Sequence, residues 1–164
     1  MRAFRRDKGF SFVEILISII LVGLSVSALV FASNNFTTAN GAGADLSTAE
    51  FLVEQIRELT TLLPVVDPQA PGSTLGPESG ESTVAAYDDI DDFANVTFSP
   101  PIDADRNALT ALTAFSQSVT VANVSQSDFD TAVGPHASNF VKITVGVFLN
   151  GKEISSASWI RANY

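Results

Sequence analysis

From Phe10 to Ala32 the chain reads FSFVEILISIILVGLSVSALVFA, 23 residues with Glu14 as the one ionisable side chain. A helix of that length reaches about 35 Å at about 1.5 Å per residue, enough to cross a bilayer. Residues 10–33 are therefore expected to form an apolar helix that spans a membrane. Its pattern is apolar almost all round, as suits lipid or a closely packed bundle of helices. The pattern then changes. Leu46, Ala49, Leu52, Val53, Ile56, Leu59 and Leu63 recur at spacings of three and four, with Glu50, Glu54, Arg57 and Glu58 mainly on the other face. Residues 34–63 read as an amphipathic continuation that ends at Pro64. Asn40-Gly41-Ala42-Gly43 interrupts it, each glycine costing about 1 kcal/mol against alanine, and predicts a bend or melted turn. Asp45 or Ser47 would cap the restart.

Beyond Pro64 the helical period is lost. Residues 64–86, PVVDPQAPGSTLGPESGESTVAA, are rich in Pro, Gly and Ser and read as a long connection. The loop-rich, acidic character extends to residue 116. From 117 the period becomes two. Gln117 to Val124 alternates Val119 and Val121 with polar residues, and Phe140 to Leu149 sets Val141, Ile143, Val145 and Val147 against Lys142, Thr144 and Gly146. Asn150-Gly151 is a strong hairpin signal, because both positions of a type I′ turn need positive φ. The return strand is Lys152 to Arg161, with Ile154, Ala157 and Trp159 expected in the core although the alternation is imperfect. Residues 117–164 thus read as an antiparallel sheet. A long helix with a small antiparallel sheet packed on it makes the fold class α+β.

Charge narrows the function. The 164 residues carry a net charge of −9 and no cysteine. A disulfide framework and thiolate metal sites are excluded. Four of the basic residues, Arg2, Arg5, Arg6 and Lys8, lie ahead of Gly9 with Asp7, so the rest holds 17 acids against five bases, a net of −12. That balance argues against nucleic acid as a partner. The basic cluster on the short side of the apolar run predicts a cytoplasmic N-terminus and an exported head. An ordinary secretory signal peptide has a shorter apolar run and a small-residue cleavage site after it. Here Ser33-Asn34-Asn35 follows without a clear site of that kind, although Ala28 and Ala32 leave some ambiguity.

Glu14 is the anomaly. A carboxylate inside an apolar membrane segment costs several kcal/mol unless something pairs with it, so it is a functional residue by default. The basic leader ending in Gly9, then Phe10, then Glu14 at the fifth position after Gly9, resembles the N-terminus of type IV prepilins and pseudopilins. GPESGE, YDDIDDF and SPP, in that order, are similar to a group of predicted prepilin-type proteins loosely related to minor pilins of the mannose-sensitive haemagglutinin type. The resemblance implies a leader of residues 1–9, removed by a membrane-embedded prepilin peptidase at the Gly9–Phe10 bond, and N-methylation of the new Phe10 amine. It implies a structural, non-enzymatic subunit, a minor pilin or pseudopilin. Its partners would be other pilin subunits, the peptidase, an inner-membrane assembly platform and membrane lipid. The subunit would start in the inner membrane and move into a type IV pilus or a type II secretion pseudopilus. In the filament, the Phe10 amine of a neighbouring subunit could approach the Glu14 carboxylate, each charge offsetting part of the other's desolvation cost.

Other constellations stand beside this one. Asp88, Asp89, Asp91 and Asp92 could bind calcium, a hard cation that takes clustered oxygens. They could equally form a solvated acidic turn anchored by Tyr87, Ile90 and Phe93. Asp103-Ala104-Asp105-Arg106-Asn107 resembles the opening of an EF-hand loop, but Ala108 and Ala114 stand where Gly and Glu are needed, so it reads as a turn. His136, beside Gly134-Pro135, reads as an exposed loop histidine. No G-x-S-x-G and no phosphate-binding glycine loop is present. The alternative to a filament subunit is a membrane-anchored extracytoplasmic binding module, with calcium or another ligand in the acidic loop. An anchored enzyme ranks last, for want of a catalytic set.

Overall fold

The computed structural model describes residues 9–67 and 74–163. The basic residues ahead of Gly9 and the middle of the Pro-rich connection lie outside the described residues. One helix, α1 (Phe12–Thr61), precedes five strands: β1 (Val96–Phe98), β2 (Phe115–Ser125), β3 (Asp128–Ala132), β4 (Phe140–Leu149) and β5 (Lys152–Ala162). The class is α+β, as expected. The chain divides between Gly43 and Ala44 into two compact units.

The first unit is the apolar part of α1. The helix is long and apolar enough to cross a membrane. Its large side chains are exposed all along, from Phe12 to Phe36. The expected melted turn at Asn40–Gly43 is absent: helix continues through all four residues, and no restart needs a cap. The two glycines cost about 2 kcal/mol together. A break would leave four N–H and four C=O groups without helical partners and would require a second nucleation, which costs more.

In the second unit, the end of α1 lies on a sheet ordered β1-β2-β4-β5, with β3 paired to β2 and every pairing antiparallel. Ala49, Leu52, Val53, Ile56 and Leu59 meet the inward row Val119, Val121, Val141, Ile143, Val145 and Val147 in one core. Leu46, read as part of the buried stripe, is instead exposed. Strand β4 has the bounds expected from its alternation. The hairpin after it turns on Asn150 and Gly151, with φ of 50° and 80°. The pairing of β4 with β5 slips between Val147 and Phe148, leaving Ile154 as the extra residue. That bulge is why the alternation of β5 looks imperfect: Ala157 and Trp159 face inward opposite Val145 and Ile143, and the phase changes before them. Arg57 stacks over the Trp159 ring at 4.9 Å.

Two polar side chains tie the layers together. Gln117 is fully buried on the inward row. Its Nε2 donates to Leu52 O at 2.8 Å and Ile102 O at 3.1 Å, and its Oε1 accepts from Ile102 N at 2.8 Å. Arg161 closes the helix end, donating to Thr60 O, Thr61 O and Leu63 O at 2.7, 2.8 and 3.3 Å. A cation there complements the helix dipole and satisfies carbonyls that have no helical donor. Short strands β1 and β3 were not expected. β1 has three residues and β3 is exposed throughout, so neither carries a periodic apolar signal.

Candidate functional site

Two places in the chain concentrate polar groups where the surroundings disfavour them. The first is the start of α1. Ser11 precedes the helix and Glu14 is its third residue. Ser11 N donates to Glu14 Oε2 at 2.7 Å, and Glu14 N donates to Ser11 Oγ at 3.2 Å. This reciprocal pair is a capping box, S-x-x-E, which satisfies two donors at the helix start. Its signature is readable in Ser11-Phe12-Val13-Glu14. It gives Glu14 a partner within its own chain and places a negative charge at the positive end of the helix dipole. Gly9 and Phe10 stand just ahead of the helix, both exposed. Farther along, Ser18, Ser25 and Ser27 each donate to the carbonyl four residues back, at 2.7, 2.8 and 2.9 Å. The hydroxyls in the apolar run thereby hide their polarity inside the helix.

The second place is the acidic run. It is not a solvated turn. Ile90 and Phe93 are fully buried, Tyr87 meets Phe93 edge-on at 5.1 Å, and Ile90 N donates to Pro64 O at 3.0 Å. These anchors pull the intervening carboxylates inside with them. Asp89 and Asp92 are 0 % exposed and Asp91 is 1 % exposed. The turn is locked by its own acids. Asp89 Oδ1 accepts from Asp91 N and Asp92 N at 2.8 and 3.2 Å, and Asp92 Oδ2 accepts from Asp88 N and Asp89 N at 2.8 and 3.2 Å. The opposite oxygens, Asp89 Oδ2 and Asp92 Oδ1, and both oxygens of Asp91, meet no donor among the described residues.

Three acids from the connecting segment join this turn. Asp67, Asp88 and Asp89 bring carboxylate oxygens within 4.8 Å of one another, and so do Glu78, Glu81 and Asp92. Two like charges at such a distance repel by about 3 to 4 kcal/mol at an effective dielectric near 20. Burial pushes the Asp89 carboxyl up to about 8, helped by the neighbouring Asp91 carboxyl. Burial also raises Asp91, with Glu78, Asp92 and Asp67 adding repulsion. Asp92 is raised by burial against the opposing effect of its backbone donors. Among the described residues no Lys or Arg pairs with Asp89, Asp91 or Asp92. His136, expected in solvent, instead turns its half-buried ring toward the cluster, with Nε2 3.9 Å from Asp91 Oδ2. Asn123 fixes that loop by accepting from His136 N at 2.8 Å.

The four aspartates singled out from the sequence are thus brought together, and Asp67, Glu78 and Glu81 were missed. They lie in the Pro- and Gly-rich connection, where no period signals which side chains turn inward. Asp103–Asn107 is the turn it was expected to be: Asp103 Oδ1 accepts from Asp105 N and Asn107 N at 3.0 and 2.8 Å.

Residues 4–30 match the family model of the prokaryotic N-terminal methylation motif, the signal of type IV pilins and pseudopilins. The matched stretch contains Gly9, Phe10, the capping box and most of the apolar run. It supports a type IV pilin-like or pseudopilin precursor. Proteins with this motif are structural, and the motif and apolar helix together fit a membrane-anchored protein. No curated protein and no solved structure matches the chain.

Proposed function

We propose that the chain is a subunit of a type IV pilus or a type II secretion pseudopilus, a minor pilin or pseudopilin. It is made as a membrane precursor, cleaved between Gly9 and Phe10, methylated at Phe10 and drawn into the filament through α1. The observation that carries this reading is the methylation motif at the head of a helix whose large apolar side chains are exposed from Phe12 to Phe36. Such a surface calls for lipid before assembly and for neighbouring helices after it. The capping box refines the part played by Glu14. Its Oε2 is engaged by Ser11 N, which keeps the carboxylate at the helix mouth, one turn from Phe10. There it can receive the amine of an incoming subunit, and pairing offsets part of the cost of holding both charges in a low dielectric. Gly9 suits the peptidase because a residue without a side chain lets extended backbone enter a narrow cleft.

Mass spectrometry of the mature N-terminus tests this, run beside filament incorporation of Glu14→Leu. The expected result is a chain that starts at methylated Phe10 and a variant that stays in the membrane. A retained Met1, a start near Asn34, or full incorporation of the variant overturns the reading.

A further inference from the structure

The acidic cluster of the head is packed as no solvated loop would be. Seven carboxyl groups converge on one turn, and four of them, Asp67, Asp89, Asp91 and Asp92, are at least nine-tenths buried. Backbone donors account for one oxygen each of Asp89 and Asp92. Among the described residues nothing donates to the other oxygen of either, or to either oxygen of Asp91. Buried polar groups are normally satisfied, and buried charges are normally paired or bound to metal. Protons shared between Asp89 and Asp91 and between Asp92 and Glu81 would answer for part of this, and still leave an Asp91 oxygen with no donor among the described residues.

The geometry points to calcium binding at this turn through two carboxylate triads, Asp67, Asp88 and Asp89, and Glu78, Glu81 and Asp92. The donor set is all oxygen, which selects a hard cation. The spacing admits calcium. Calcium holds oxygens at about 2.3 to 2.6 Å, so ligands on opposite sides of the ion lie about 5 Å apart. Each triad keeps its oxygens within 4.8 Å of one another. Magnesium needs a tighter octahedron, at about 2.1 Å, and gives up its waters reluctantly. Asp91 sits close enough to both groups to feel Glu78, Asp92 and Asp67. The backbone donors to Asp89 Oδ1 and Asp92 Oδ2 hold those two side chains in place and aim their remaining oxygens inward. The site would fasten the connecting segment to the 3-10 turn Asp91–Phe93. This inference rests on the head alone and stands apart from the filament reading.

The test uses the full chain in detergent micelles, stripped with chelator and titrated with calcium chloride. Calorimetry reads binding, and Trp159 fluorescence reads thermal unfolding. Saturable binding is expected, with a rise in Tm of several degrees at millimolar calcium and a smaller rise with magnesium. Asp89→Asn and Glu81→Gln should each weaken calcium binding at least tenfold. In chelator both should melt no lower than the parent chain, because each removes one of the crowded charges, and the amide introduced by Asp89→Asn retains an oxygen that can cap the turn. The chelator melt thus separates lost binding from lost fold. No binding by the parent chain, equal stabilisation by magnesium, or unchanged calcium binding in both variants overturns the proposal.

Discussion

Gln117 is the side chain on which the head's layers agree. It sits on the inward row of β2 among valines, and its amide joins Leu52 of the helix to both backbone groups of Ile102. Gln117→Leu keeps the volume and strips the partners, leaving buried backbone groups unsatisfied at about 1 to 3 kcal/mol each. Urea unfolding in micelles should show a loss of at least about 2 kcal/mol. Gln117→Glu should be worse, since it replaces the donor facing two carbonyls with another acceptor and buries a charge. The alternation placed Gln117 in a strand but gave no hint that it points inward, because a polar residue at that phase reads as a strand end. The four aspartates show the opposite case. Their number flagged them, while their burial depends on Ile90 and Phe93, whose anchoring role is legible in the sequence without its consequence for their neighbours.

At the scale of elements, local signals succeed where one periodicity dominates. β4, the Asn150-Gly151 hairpin and the buried stripe from Ala49 to Leu59 were legible, because each repeats one pattern over enough residues. The helix across Asn40–Gly43 was misjudged because propensity is local and helix formation is cooperative. Neither Gly41 nor Gly43 has a positive φ, and a Cβ built on either meets open space. Replacing either by alanine should therefore strengthen the helix by up to about 1 kcal/mol. Amide hydrogen exchange over residues 40–44 in micelles should slow by up to about fivefold for each change. Unaltered exchange would mean the segment does not open through the glycines. The bulge at Ile154 and the inward turn of Glu78 and Glu81 were not readable, since both depend on which strand or turn lies opposite.

Over the whole molecule the acids set the response to pH. Without a divalent cation, folded Asp89 keeps its proton up to about pH 8, whereas the unfolded chain releases it in the ordinary carboxyl range near 4. Between those values the folded state binds more protons, so stability falls as pH rises. Asp91 and Asp92 are raised as well and act in the same direction. The groups facing Asp89 and its neighbours are Asp67, Glu78, Glu81, Tyr87, Asp88 and His136. Thermal melts in chelator should give a lower Tm at pH 8 than at pH 5.5. A flat or rising profile would show that the carboxyls ionise without penalty. The composition changes along the chain from an apolar run to an amphipathic stretch, an acidic loop region and an alternating sheet.

Arg161 has a consequence for how such a chain is made. The carbonyls it holds belong to Thr60, Thr61 and Leu63, about a hundred positions earlier. The ribosome has long since synthesised the helix when codon 161 is read. Until then the helix terminus is left to water, and the nascent head must wait, open, for the residue that seals it.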